Sequence, residues 1–171
     1  MAVDVNNAYN RYQAIKAGRA FEKYDIMWFE EPVWPDDLDG SALVAKTLDV
    51  PVASGELEYT KYGFKELLCK EAVDIVQPDV MFCGGITEWL KIAEMAEAFN
   101  IPVAPHAAHD VHAHLVAAVP NGLTVKYFLC ESDMMLYQET LEPEEVYVQP
   151  SDKLSVGIEF DKTAIAKFKA T

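Results

Sequence analysis

Residues able to hold a cation or move a proton recur along this 171-residue chain every 23 to 27 positions: Asp4, Glu30, Glu56, Asp79, His106 and Glu131. That interval is about one β-strand plus one α-helix, the unit that parallel strands need for their crossover. Each of these residues closes a short apolar, β-branched run, over 1–4, 26–30, 50–56, 73–79, 101–106 and 125–131. Polar groups at the C-terminal ends of successive parallel strands converge on one mouth. The fold class read from this rhythm is α/β, as a β(αβ)5 run.

The stretches between the strand ends carry helical periodicity. Segments 9–24, 41–47, 61–69, 87–99 and 112–119 read as helices, the clearest being 87–99, where Trp89, Leu90, Ala93, Ala96 and Phe99 share one face. Gly84-Gly85 opens that helix, with Thr87 as the expected N-cap. Pro120-Asn121-Gly122 stops the 112–119 helix. Beyond Glu131 the pattern gives way to a polar tail with one expected strand at 146–148 and an amphipathic turn at 164–168. The expected organisation is a barrel portion over 1–131 and a tail over 132–171.

Composition narrows the function. A net charge of −14 argues against nucleic-acid and anionic-membrane partners, since both require a basic face. No apolar run approaches the ~18–20 residues of a membrane span, and the first residues do not read as a signal peptide, so the expected location is cytoplasmic. Cys69, Cys83 and Cys130 are odd in number and lack CxxC spacing, which suits a reducing compartment.

Three carboxylates from adjacent strands, Asp4, Glu30 and Glu56, supply hard oxygen ligands of the kind Mg²⁺ takes while keeping positions open for substrate. Zinc is the poorer match, with no cysteine and one histidine among the six positions. Asp79 and His106 close neighbouring strands, so the carboxylate can hold one imidazole nitrogen and raise the basicity of the other. Glu131, on the expected next strand, is expected to point a carboxyl group at the same volume from the far side. Taken singly, a carboxylate after a strand is most often a helix cap or a solvated charge, and His106 a satisfied loop histidine. Similarly, His109, His112 and His114 read first as helix-start packing, and Trp28, Trp34 and Trp89 as core or loop anchors. The shared phase of six positions carries the functional reading.

The strings Asp4-Val-Asn6, Trp28-Phe-Glu30-Glu31-Pro32, Gly55-Glu56, Gln77-Pro78-Asp79 with Gly84-Gly85-Ile-Thr87, and Pro105-His106 resemble, in order and spacing, the mandelate racemase subgroup of the enolase superfamily. The resemblance implies a (β/α)7β TIM-type barrel, of which this chain carries strands three to eight without the N-terminal capping domain and first two strands. The tail, around Val156-Gly157, is similar to the segment that returns to that cap. It further implies Asp4, Glu30 and Glu56 as Mg²⁺ ligands, Asp79 and His106 as a catalytic dyad, and Glu131 as a partner of the substrate carboxylate. A Lys or His base working with Mg²⁺ is the known pattern of that superfamily. Asn6, Trp34 and His109 lie near enough to strand ends to contact a small carboxylate substrate.

A proton beside a carboxylate is weakly acidic, because its removal puts a second negative charge on the same group, and a divalent cation stabilises that charge. If the β-carbon bears a hydroxyl, one imidazole can serve as base and then acid, giving a sugar-acid dehydratase. A racemase, epimerase or cycloisomerase of the same superfamily is the alternative, and a catalytically silent half-barrel is another. A barrel with two unclosed edges is also expected to associate as a homo-oligomer.

Overall fold

The computed structural model describes residues 1–128 and 133–169. Strands β1 (Val3–Asp4), β2 (Phe29–Glu30), β3 (Val52–Ser54) and β4 (Ile75–Val76) pair in chain order, every pair parallel. Single parallel bridges from Val76 to Val103 and from Val103 to Gly122 continue the sheet by two further positions. Helices α1 (Arg11–Phe21), α2 (Leu38–Thr47), α3 (Thr60–Cys69), α4 (Ile86–Ala98) and α5 (His109–Ala118) separate these strands. The sheet curls strongly: Lys126, past the last bridge, reaches Asp4 on β1 across 122 residues of sequence. This is an α/β half-barrel with its strands in sequential order, as the recurrence of polar residues implies.

Local chemistry accounts for the element ends. Asn10 caps α1 by accepting from the Tyr12 and Gln13 backbone, and the Gln13 side chain returns the bond to Asn10 in a full capping box. Asp37 caps α2 through the Gly40 N–H. At α4 the cap is Gly85 (φ 87°), which makes no side-chain bond; the expected Thr87 already lies inside the helix. Helix α5 begins three residues earlier than its periodicity suggests, after the left-handed Ala107 and Ala108.

Alternation within each strand separates two layers. Phe29, Val52, Val76 and Val103 pack into the helices, where Phe64, Trp89, Ile92 and Ala96 form the larger core and Ala14, Val44 and Leu48 a second one. Trp28, Ala53, Ile75 and Ala104 form a thin layer on the opposite, concave face. Glu30 shares the parity of Trp28 and so points to that concave face. A cleft of about 370 Å³ opens there, lined in part by Asp4, Glu30, Gln77 and Lys126.

Two strand expectations are corrected. In the run 125–131 the described residues 125–128 form no strand, and the rest lies outside the described residues; Val103 bonds to Asn121 and Leu123, so pairing occurs at Gly122, directly after the helix stop. The early exit from α5 places the backbone at Gly122 against Val103 before the apolar run begins. Segment 146–148 is not a strand either; Glu144 and Tyr147 exchange both backbone hydrogen bonds across a turn that holds Glu145 at φ 58°. In the tail, Tyr137 and Phe160 form an antiparallel bridge beside a 3-10 turn (Asp133–Leu136) and α6 (Lys162–Phe168). The Asp110 carboxylate fastens the tail to α5 through the Leu141 N–H. Among the described residues no helix is long and apolar enough to cross a membrane.

Trp89 ties this core to the loop after β4, since its fully buried indole donates to the Pro78 carbonyl. Trp89→Ala should lower unfolding free energy by about 3–5 kcal/mol, read by urea denaturation. A loss below about 1 kcal/mol would show that the loop and the α4 core are not coupled in this way.

Candidate active site

The strand register determines which side chains can meet. Asp4 is level with Glu30, Glu30 with Ala53, and Ala53 with Ile75. Glu56 and Asp79 therefore stand three and four residues beyond that level, on the loops that leave β3 and β4. Such stagger is the shear of a curling parallel sheet. The loops use unusual backbone to turn inward: Asn6 and Asn7 after β1, Glu31 after β2 and Ala107 and Ala108 after Val103 all have φ between 39° and 61°. Gly55 has φ 132°, and a Cβ there would stand 2.8 Å from the Phe64 ring, so only glycine turns Glu56 into the site.

One cluster is built around His106. Its Nδ1 lies 3.0 Å from Asp79 Oδ2, and its Nε2 lies 3.3 Å from Glu56 Oε2. Asp79 is itself held, because its Oδ1 accepts from the Met81 N–H at 2.7 Å. Burial opposes charge on the His106 ring, but the Asp79 hydrogen bond and the Glu56 carboxylate outweigh it and raise its pKa. The Nε2–Oε2 approach is close enough for an ion pair but misaligned for a hydrogen bond, and Glu56 Oε2 has no hydrogen-bond partner among the described residues. Burial, ahead of the attraction of His106 and Lys126, raises the Glu56 pKa.

The second cluster joins β1 and β2. Glu30 is almost wholly buried; Oε2 accepts from the Trp28 indole at 2.9 Å and Oε1 from the Lys126 ammonium at 2.6 Å. The same ammonium stands 3.3 Å from Asp4 Oδ2, while Asp4 Oδ1 accepts from the Asn6 N–H. Burial disfavours the charged lysine, yet the Glu30 hydrogen bond and the surrounding carboxylates raise its pKa. Next to Glu30, the buried Glu31 accepts from Asn7 Nδ2 at 2.8 Å. Its pKa is pushed up to about 7 by burial and then by repulsion from Glu56 and Asp4.

The expected site residues are thus partly gathered. Asp4 and Glu30 meet through Lys126, and Glu56, His106 and Asp79 form a line. Asn6 takes part through its backbone, with its residue exposed. Trp34 is largely exposed and borders a cavity of about 10 Å³, room for one water, shared with Glu31, Ser54 and Glu58. His109 is fully buried with its ring 4.4 Å from that of Tyr127. Glu131 lies outside the described residues. As the side chains stand, no three carboxylate, imidazole or thiol groups among the described residues are arranged to hold a metal ion. The donor chemistry nevertheless fits a hard divalent cation. Asp4, Glu30 and Glu56 are all oxygen donors, Glu56 Oε2 accepts no hydrogen bond from a described residue, and a cationic ammonium already stands between the other two.

Three contributors escaped the sequence reading. Lys126 carries the lone charge in an apolar run, Val125-Lys126-Tyr127-Phe128, and that isolation was the available signal. Gln77 is buried on the concave face with neither side-chain polar atom bonded to a described residue. His112, read as packing, spans the dyad's two loops: Nδ1 donates to the Ala107 carbonyl at 2.7 Å and Nε2 accepts from the Val80 N–H at 3.1 Å. These bonds require the neutral ring with its proton on Nδ1.

The matching family model, enolase C-terminal domain-like, covers residues 1–164. The chain belongs to that family. It is 38% identical over 164 residues to an arabinonate dehydratase of Saccharolobus solfataricus, matching 92% of this chain and 44% of that protein. Identity to an L-talarate/galactarate dehydratase of Salmonella typhimurium is 35% over 164 residues, matching 96% of this chain and 41% of that protein. The crystal structure of an L-talarate dehydratase from Polaromonas sp. JS666, complexed with Mg and L-glucarate, superposes with a TM-score of 0.91 at 33% identity, covering 96% of this chain and 46% of that one. The chain thus spans less than half the length of these relatives.

Burial holds the His112 pKa down to about 4, against the Ala107 hydrogen bond and the Asp79 carboxylate, and His106 and His109 lower it slightly further. The unfolded chain therefore binds this proton more readily than the folded one. The stability contributed by neutral His112 is complete above about pH 6.5 and is lost as pH falls towards 4, amounting to ~3 kcal/mol over that window. His112→Gln, which keeps a donor and an acceptor, should flatten this part of the stability profile in denaturant titrations from pH 7 to 4.

Proposed function

We propose that this chain carries the metal-binding carboxylates and one proton-transfer face of a Mg²⁺-dependent sugar-acid dehydratase. The observation that carries the reading is the Asp79–His106 pair at 3.0 Å, opening towards Glu56 and the Asp4–Glu30 pair. The dehydratase relatives, one crystallised with Mg and L-glucarate, supply the reaction class and substrate type.

Asp79 accepts the Nδ1 proton of His106, which leaves the Nε2 lone pair available to the site. Asp4, Glu30 and Glu56 would hold the cation. When bound, that cation supplies positive charge at the substrate carboxylate, where negative charge grows as the α-proton leaves. His106 Nε2 takes the α-proton as the Cα–H bond breaks. The freed electron pair forms the Cα–Cβ double bond while the Cβ–O bond breaks, and the departing hydroxyl takes the proton back from Nε2 as water. The resulting enol tautomerises to a 2-keto-3-deoxy acid. A single imidazole serves as base and acid, so both protons move on one face of the substrate.

The Asp79 hydrogen bond raises the basicity of the ring and holds its orientation. Trp28 does the same for a metal ligand by anchoring Glu30 Oε2. The raised pKa of Glu31 keeps a fourth carboxyl beside the site from adding its full charge near neutral pH.

A screen of aldonic and aldaric acids with Mg²⁺, followed by mass spectrometry for loss of water, tests this reading. His106→Asn should lower turnover by ~10²–10⁴-fold, and Asp79→Asn should also reduce it strongly with the fold retained. Solvent deuterium incorporated at the α-carbon without loss of water would instead identify an epimerase or racemase. No Mg²⁺ binding, or His106→Asn with unchanged turnover, would overturn the proposal.

A further inference from the structure

We propose that Lys126 is a tethered cation that occupies the Asp4–Glu30 gap in the metal-free protein and must be displaced before a divalent cation can bind, so that it sets the affinity of the site. This inference rests on the divalent-cation reading of Asp4, Glu30 and Glu56.

Oxygen bookkeeping around the gap supports it. One oxygen of each carboxylate is committed elsewhere: Glu30 Oε2 to the Trp28 indole and Asp4 Oδ1 to the Asn6 N–H. The remaining two, Glu30 Oε1 and Asp4 Oδ2, are the oxygens left for a metal, and both face the Lys126 ammonium, at 2.6 and 3.3 Å. A buried carboxylate without a counter-charge is strongly unfavourable, and Glu30 is buried. Lys126 therefore does for Glu30, when no metal is present, what a metal would do. An ammonium and a divalent cation cannot share that gap, because both need the same two carboxylate oxygens and like charges a few ångströms apart repel.

The lysine also has somewhere to go. Its ammonium lies 5.3 Å from the centroid of the Phe128 ring, within cation–π range, and its side chain lines the open concave cleft. Four rotatable bonds let it leave the carboxylates without backbone movement. The Phe128 ring packs edge-on against His106, with ring centroids 5.7 Å apart. A lysine moved onto Phe128 would therefore stand beside the dyad.

The test is Mg²⁺ titration calorimetry on the protein and on Lys126→Met and Lys126→Gln, the latter keeping a donor for Glu30 without the charge. Circular dichroism and thermal melting verify that each variant folds. The inference expects at least tenfold tighter Mg²⁺ binding in a folded variant. It also expects faster acetylation of Lys126 in the unmodified protein at saturating Mg²⁺, read by peptide mass spectrometry. Equal or weaker affinity in the folded variants, or acetylation unchanged while Mg²⁺ binds, would overturn it. Failure of every form to bind Mg²⁺ would overturn the divalent-cation reading itself, and this inference with it.

Discussion

The crowding of Asp4, Glu30, Glu31 and Glu56 at one end of a parallel sheet is the constraint on which the rest of the site depends. Parallel pairing brings Asp4 level with Glu30, and curling of the sheet brings the following loops over them. Negative charges gathered in a partly dry place repel one another and lose hydration. The protein answers each differently. Glu30 takes two hydrogen-bond donors, Glu31 has its pKa pushed up to about 7, Glu56 faces His106, and Asp4 shares the Lys126 ammonium. The arrangement suits a cation and is stabilised by one.

A second consequence is strain in the connecting loops. Left-handed residues follow β1, β2 and Val103, and none of these, Asn6, Asn7, Glu31, Ala107 and Ala108, is glycine. Such positions cost of order 1–3 kcal/mol each where no glycine relieves them. They persist because the adjoining packing over-determines them: Trp89 holds the loop carrying Asp79, and His112 ties that loop to the one carrying His106. The Asp79–His106 pair thus rests on two buried side chains, Trp89 and His112, that hold its loops from behind.

Much of this was legible in the residues. The spacing of polar residues after apolar runs gave the strand order and the parallel half-barrel, because a strand and its crossover helix have a narrow range of lengths. It was less informative about where pairing stops. Residues 125–128 read as the start of a strand, yet the Asn121–Leu123 backbone takes the hydrogen bonds to Val103. Likewise Thr87 looked like a cap, although the left-handed conformation at Gly85 starts the helix. Hydrophobic pattern reports burial, whereas exact pairing depends on where a helix releases the chain.

The chain's own order of residues determined the succession of parallel strands and helices, the inward carboxylates and the Asp79–His106 partnership, since those follow from period, parity and residue type. Only the tertiary structure decided that Lys126 stands between Asp4 and Glu30 and that His112 bridges two loops. Both are contacts between residues far apart in sequence, the first across 122 positions and the second across 32. Local pattern can mark Lys126 as unusual but cannot name its partners; those contacts arise because a twisted parallel sheet curls until its first strand faces the segment around Lys126.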